Sequence, residues 1–283
     1  MISKVTRMTR TIFWIAVVFP VLYGCQHNPL LPEATQIVLQ AYLNDGERVT
    51  NITVMLSRSL SSSDTANTML PNANVVLTKN DAQYQLTPSL QNGGEYYYLG
   101  TDLQVHSGDQ FGIAVTYNGT TATAETVVPG KPVGLSANTS TIIFTKDTVT
   151  TPFGGKREMI SSSDSLVLSW DNPSQLSHYI VVESDDSTRQ PLRSDTLGNI
   201  NFVGRFVTEP TTNNYYRVQQ INFNYTGKYK VTLYRVNKEY VDLYASRQQD
   251  SRNLNEPKTN VKNGLGIFTA FASDSTSVSV KLK

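Results

Sequence analysis

The chain has 283 residues, with 24 Lys and Arg against 23 Asp and Glu and a formal net charge of +1. So even a balance supplies neither a basic field to gather nucleic acid nor an acidic tail to buffer cations. Charged residues make up only 17% of the chain, while Ser, Thr, Asn and Tyr are plentiful, a composition that suits an exported β protein rather than a cytosolic enzyme or a disordered chain.

Lys4, Arg7 and Arg10 stand in an N-terminal stretch without acidic residues, and Ile12 to Leu22 is a nearly unbroken apolar run. These are the n-region and h-region of a secretory signal peptide, expected over residues 1–24. The run is shorter than the roughly 20 residues that a membrane-crossing helix needs. It ends in Leu22-Tyr23-Gly24-Cys25, which resembles the lipobox of bacterial lipoproteins. Tyr23 departs from the usual small residue at its position, whereas Gly24 and the thiol meet the two firm demands. The resemblance implies that Cys25 is alkylated with diacylglycerol, that the chain is cut before it, and that the new amino group is acylated. With about 0.8 kcal/mol for each buried CH₂, several palmitate-like chains make an effectively permanent anchor in membrane lipid. Cys25 is also the one cysteine of the chain, so a disulfide has no second partner. Without residues 1–24 the charge balance is 21 basic to 23 acidic.

Residues 25–35 hold the lipidated cysteine and a short spacer with Pro29 and Pro32 and no periodicity. From Gln36 the pattern changes to period two. Ile37, Leu39, Ala41 and Leu43 alternate, then Ile52, Val54 and Leu56, with Asn44-Asp45-Gly46 between them, which predicts a hairpin. Five further runs follow: Val75 and Leu77; Tyr84 and Leu86; Tyr96 and Tyr98; Phe111 to Tyr117, closed by Asn118-Gly119; and Ala122 to Val128. Pro129-Gly130-Lys131-Pro132 then marks a domain boundary. Seven short alternating strands over residues 36–130 predict a β-sandwich of transthyretin or immunoglobulin type.

Residues 131–283 read as a second β-rich domain. Strands are expected at Leu166 to Trp170, His178 to Val182, Phe202 to Val207, Tyr215 to Ile221, Tyr229 to Val236 and Val278 to Leu282. The segment SLVLSWDNP resembles the fibronectin type III strand whose buried tryptophan precedes a proline-containing turn. Tyr240, Leu243 and Tyr244 fall at i, i+3 and i+4, which predicts a helix over 237–248 with Asn237 as N-cap and Glu239 in the first turn.

Together the segments YLNDGERVTNITVMLSRS, PNANVVLTKNDAQYQL, GDQFGIAVTYNG with VVPGKP, YKVTLYRVNKEYVDLY and NEPKTNVKNGLGIFTAF resemble, in order and spacing, a family of Bacteroidota outer-membrane lipoproteins catalogued as domain of unknown function 4249. The resemblance runs from about residue 36 to 283, and Asn263-Gly264-Leu265-Gly266-Ile267-Phe268 is its most distinctive piece. It implies a transthyretin-like first domain, an outer-membrane home and a TonB-dependent transporter as partner, and it carries no catalytic residues with it.

The residues themselves offer little chemistry. The three histidines are His27 in the spacer, His106 in a VHSGD turn and His178 at a strand start; no Gly-x-Ser-x-Gly elbow or His-Glu-x-x-His pair accompanies them. Glu183, Asp185 and Asp186 lack the spacing of a calcium loop and read as a solvated hairpin tip, and Asp45, Glu47 and Asp109 read as turn residues. No metal ligand set, cofactor motif or catalytic residue is expected. Fifteen tyrosines raise the question of sugar stacking, for which Tyr97 and Tyr216 are the candidates. Neighbours on a strand face opposite ways, so each tyrosine cluster must give at least one ring to the core. Gly264 and Gly266 read as a turn into a buried strand bearing Ile267 and Phe268. The polar stretch Ser59 to Asn72 is a candidate contact loop.

The expected function is that of a non-enzymatic, membrane-tethered accessory or ligand-presenting subunit beside a TonB-dependent transporter. The alternative is a free-standing surface module that binds glycan or host protein. QHNPLLPEA after Cys25 carries one acidic residue, Glu33, which weighs against surface display.

Overall fold

In the computed structural model, which describes residues 35–57, 68–150, 152, 154–162, 164–192, 204–246 and 258–283, β1 (Ile37–Asn44) and β2 (Asn51–Leu56) form the predicted hairpin, with Ile37 opposite Leu56 and Tyr42 opposite Asn51. The alternation works as read: Ile37, Leu39, Ala41 and Leu43 turn inward and are buried. The short strands β5 (Thr87–Pro88) and β6 (Glu95–Tyr97) extend this sheet beside β2. Facing it, β3 (Asn74–Lys79), β4 (Ala82–Gln85), β7 (Gln110–Tyr117) and β8 (Thr120–Val127) form a four-stranded sheet in the order β4-β3-β7-β8. Asn118 and Gly119 both take positive φ, 47° and 78°, as a two-residue hairpin turn between β7 and β8 requires. Between the sheets lies a core that includes Leu39, Val54, Leu77, Tyr96, Phe111 and Val115, all at most 1% exposed. Each such large side chain contributes about 1.5–3 kcal/mol relative to exposure.

The second sandwich faces a three-stranded sheet against an extension of the large one. The small sheet has the order β15 (Tyr215–Val218), β12 (Leu166–Asp171), β9 (Val133–Ala137). Opposite it run β13 (His178–Ser184), β14 (Arg205–Val207), β16 (Gly227–Val236) and β10 (Thr141–Thr150). Trp170, 3% exposed, is buried between these layers with Ile142, Phe144, Leu168, Ile180 and Val231. The described residues are mainly β throughout, with sandwich layers and one short α-helix, as the alternation and turn signals imply.

A single strand joins the two halves. β17 (Leu265–Leu282) is 18 residues long, about 60 Å if straight. Its first part lies parallel to β1, from Leu265 opposite Val38 to Phe271 opposite Asn44. Its later part pairs antiparallel with β16 from Phe271 to Val280, and its end pairs parallel with β10. Phe268 and Ala270 therefore belong to the first core and Val278 and Val280 to the second. The sequence reading expects a strand only near Val278 to Leu282, with a separate buried strand at Ile267 and Phe268. In the structure these are one element, and polar Ser273 to Ser277 between them masks its continuity. The described residues from Gln36 onward form one compact unit.

The helix α1 (Lys238–Ser246) lies within the predicted span. Asn237 precedes it and uses its amide to reach β8, donating to the Val127 carbonyl at 2.8 Å and Thr126 Oγ1 at 3.1 Å. Glu239 accepts hydrogen bonds from Thr126 Oγ1 at 2.8 Å and from Thr269 Oγ1, on β17, at 3.2 Å. Two buried hydroxyls are thus satisfied by one carboxylate, and the helix start is pinned to both sheets of the first sandwich.

Candidate functional site

The residue expected to carry the lipid, Cys25, lies outside the described residues, as do the signal peptide, His27 and most of the polar stretch after Ser59. No helix among the described residues is long and apolar enough to cross a membrane, and no group of three or more His, Cys, Asp or Glu among them is placed to hold a metal ion.

The histidines are used by the fold. His178 is 2% exposed, and its Nδ1 lies 2.9 Å from the Leu176 carbonyl. Burial holds the imidazole below its ordinary pKa, a shift that the Leu176 carbonyl opposes and nearby Arg235 assists. His106 sits in its turn with Nε2 2.9 Å from Gln104 Oε1, while its backbone N–H donates to Asp109 Oδ2 at 2.8 Å. Asp109 also meets Lys79 Nζ at 2.7 Å. Partial burial acts to raise the Asp109 pKa, but Lys79 and the donated hydrogen bonds outweigh it and hold the carboxyl below its usual range.

The acidic residues Glu183, Asp185 and Asp186 occupy the end of β13 and the turn beyond it. Arg205 Nε lies 3.7 Å from Glu183, and Asp186 Oδ1 accepts from the Thr188 backbone N–H and hydroxyl. Asp45 is buried more deeply than a turn position suggests, its side chain 4% exposed with Lys131 Nζ 3.3 Å away. That pair ties the Pro129–Pro132 connection to the β1–β2 turn.

The tyrosines distribute by strand parity. Tyr96 is fully buried with its hydroxyl 2.6 Å from the Leu70 carbonyl, and Tyr97, on the opposite face of β6, is half-buried. Tyr216 packs its ring on the second core beside Phe206, at 6.1 Å between centroids. Its neighbour Tyr215 is the ring that faces out, 57% exposed. A tyrosine cluster that sequence spacing cannot show forms instead where the halves meet. Tyr179 stacks on Tyr234 at 4.9 Å and on Tyr240 at 5.5 Å, and Phe271 sits edge-on to all three and beside Tyr42. Burial raises the Tyr179 hydroxyl pKa, with the neighbouring Tyr240 and Tyr234 adding to it. These rings spend their faces on one another, so the cluster is a joint between β1, β13, β16, β17 and α1.

Gly264 and Gly266 serve the approach of β17 to β1. A Cβ on Gly266, at φ +103°, would stand 2.0 Å from the Leu39 carbonyl oxygen, and one on Gly264 would stand 2.8 Å from that of Ile37. The chain beyond is buried, with Ile267 2% and Phe268 0% exposed. Asn260 completes the arrangement by exchanging two hydrogen bonds with the Phe268 backbone, as a neighbouring strand would.

Two surface features remain for contact with other molecules. The first is a ribbon. From Thr145 onward β10 leaves the sandwich and pairs with β11 (Lys156–Ser161), Thr145 opposite Ser161 and Thr150 opposite Lys156. Residues Thr145 to Thr150 are all exposed. Val149 (44% exposed) and Met159 (51%), which stands opposite Asp147, share one face of it, and Ile143 (41%) continues that face at its base, where β10 still pairs with β17. Period-two reading misses this element because, apart from Ile160 at its base, which packs against the second core, it has no apolar alternation to follow, Thr145 to Thr150 being exposed; the Gly154-Gly155 turn was its one sequence signal.

The second feature is a groove of about 1020 Å³ on the outer face of the β3, β7 and β8 sheet, walled on one side by Asn237, Lys238 and Glu239 at the helix start. Sequence reading could not find it, because its floor is defined by small side chains facing away from the core.

No curated protein matches the chain. Among solved structures it is similar to the FN1–FN3 domains of chicken CNTN1, with a TM-score of 0.24, 8% identity and coverage of 86% of this chain and 69% of that one. The fold assignment rests on the strand pairing described above. The family model described as domain of unknown function DUF4249 matches residues 27–277, and the chain belongs to that family.

Proposed function

We propose that the protein is a non-enzymatic, lipid-anchored outer-membrane lipoprotein that works as an accessory or ligand-presenting subunit beside a TonB-dependent transporter. The observation that carries this reading is the β10–β11 ribbon. Two strands standing clear of a sandwich are marginal in water by themselves. Displaying Ile143, Val149 and Met159 on one face without internal use fits a surface that a partner covers. The lipobox sequence at Cys25 supplies the anchor, and a tether makes a weak interface sufficient by raising its effective concentration.

Photo-crosslinking from the ribbon tests this. With a photoreactive amino acid in place of Met159, irradiation of intact cells should give one dominant adduct with an outer-membrane barrel, whereas the same substitution at exposed Leu90, on the other sandwich, should not. Adducts with periplasmic proteins only, or none above the Leu90 control, would overturn the reading.

A further inference from the structure

We propose that the groove over β7 binds an extended, basic peptide segment of a partner protein. This goes beyond the tethered-accessory reading and does not depend on it.

The register places three cross-strand rows on the outer face: Asn80, Gln110 and Val127; Thr78, Gly112 and Glu125; Val76, Ala114 and Thr123. The central strand carries the small residues Gly112 and Ala114 in the second and third rows, so the middle of those rows is low and their ends are high, with Gln110 closing one end. The result is a trough along β7. Its rims, on β3 and β8, stand about 10 Å apart, two strand spacings. That width admits one extended chain and is tight for a helix with side chains, about 10–12 Å across. The span from Gln110 to Ala114 matches an extended ligand of about four to five residues at ~3.3 Å each.

The walls set the chemistry. Thr78 and Thr123 present hydroxyls. Asp81 and Glu125 line the trough, and no described cation forms an ion pair with either. The one lysine in the lining, Lys238, is held by Asp242, which also takes Lys258 at 3.5 Å. The third carboxylate, Glu239, is committed to Thr126 and Thr269. Lys262, paired opposite Thr123, shares this face at the β8 rim but forms no ion pair with Glu125 or Asp81 among the described residues, so the lining offers two carboxylates without a salt bridge to an extended ligand. The floor displays no aromatic face for a sugar to stack on, since Phe111 is turned into the core at 1% exposure. Lys or Arg side chains on alternate positions of a bound peptide would reach Asp81 and Glu125 while its backbone meets the threonines.

Gly112 makes the test clean. A Cβ there would meet only Thr78 Cβ at 3.9 Å and the Ala124 carbonyl oxygen at 4.0 Å, ordinary contact distances. Gly112→Leu should fill the trough and leave the sandwich folded. The experiment is fluorescence-anisotropy titration of the full-length protein in detergent with labelled pentapeptides bearing Lys or Arg at alternate positions, and with matched Glu and Asp peptides. The basic pool should bind saturably and weaken as salt rises. Affinity should fall at least tenfold in Gly112→Leu and severalfold in Glu125→Gln, with melting temperatures near wild type. The acidic pool should not bind. Absence of saturable binding by the basic pool, equal binding by the acidic pool, or unchanged affinity in a folded Gly112→Leu would overturn the proposal.

Discussion

Gly266 shows how much one position can decide. Its positive φ and the 2.0 Å separation between a notional Cβ and the Leu39 oxygen leave no room for any side chain. Gly266→Ala should cost about 3–5 kcal/mol, the range of the severe single substitutions, because the β1–β17 contact must open to admit the methyl group. Denaturant unfolding reads this directly, and a cost below about 1 kcal/mol would refute the tight approach. His178 and Asp109 set the response to acid. Both folded-state pKa values lie below the ordinary ones, 6.5 and 3.8. Each group therefore contributes stability that is present above its ordinary pKa and is lost as pH falls through the depressed one. Urea midpoints should decline below about pH 6.5 as unfolded chains take up protons on His178, and decline again in the Asp109 range. His178→Gln should flatten the first segment and Asp109→Asn the second.

At the scale of elements, the ribbon and the helix play opposite parts. Residues Thr145 to Thr150 contribute to neither core, so replacing Asp147 to Met159 by Asn-Gly, which would join Lys146 to Ile160 across a two-residue turn, should leave the melting temperature within about 3 °C. The same change should abolish recovery of the proposed barrel partner. A large loss of stability would instead make the ribbon a structural element. The helix is tied down by Asn237 and Glu239, as described, and by Tyr240 against Phe271 at 5.1 Å. Elements with one buried face were legible from sequence: β1, β2, β7 and β8 follow their apolar alternation, and the helix follows Tyr240, Leu243 and Tyr244. β9, β10 and β11 were not, because Val133 and Val149 are exposed and the inward alternation of β10 is only two residues long, Ile142 and Phe144, with exposed Ile143 between them. Of the candidate site, the turn glycines and the structural use of His106 and His178 were legible. The trough was not, because Gly112 and Ala114 act by what they leave open, and the aromatic joint was not, because its rings come from five elements far apart in sequence.

For the whole molecule, β17 is the spine. Its Phe268 and Ala270 serve one core and its Val278 and Val280 the other, while Phe271 (6% exposed) touches rings from both sides of the seam. Heating should therefore give one calorimetric transition in which both sandwiches unfold together. Phe271→Ala should lower stability by about 3–5 kcal/mol, and two resolved transitions in the wild-type protein would show that the halves are independent. A rigid unit of this kind suits the proposed role of a tethered subunit that presents a fixed surface to a neighbour.

Affinity purification of the tagged full-length protein from membranes in mild detergent, with the copurifying proteins identified and their stoichiometry determined, decides whether it works beside a barrel. A TonB-dependent barrel recovered at close to one copy per copy, and lost when Cys25 is replaced by Ser or the ribbon is shortened, is the predicted result. A protein that emerges alone, or with a soluble partner that survives both changes, would contradict it.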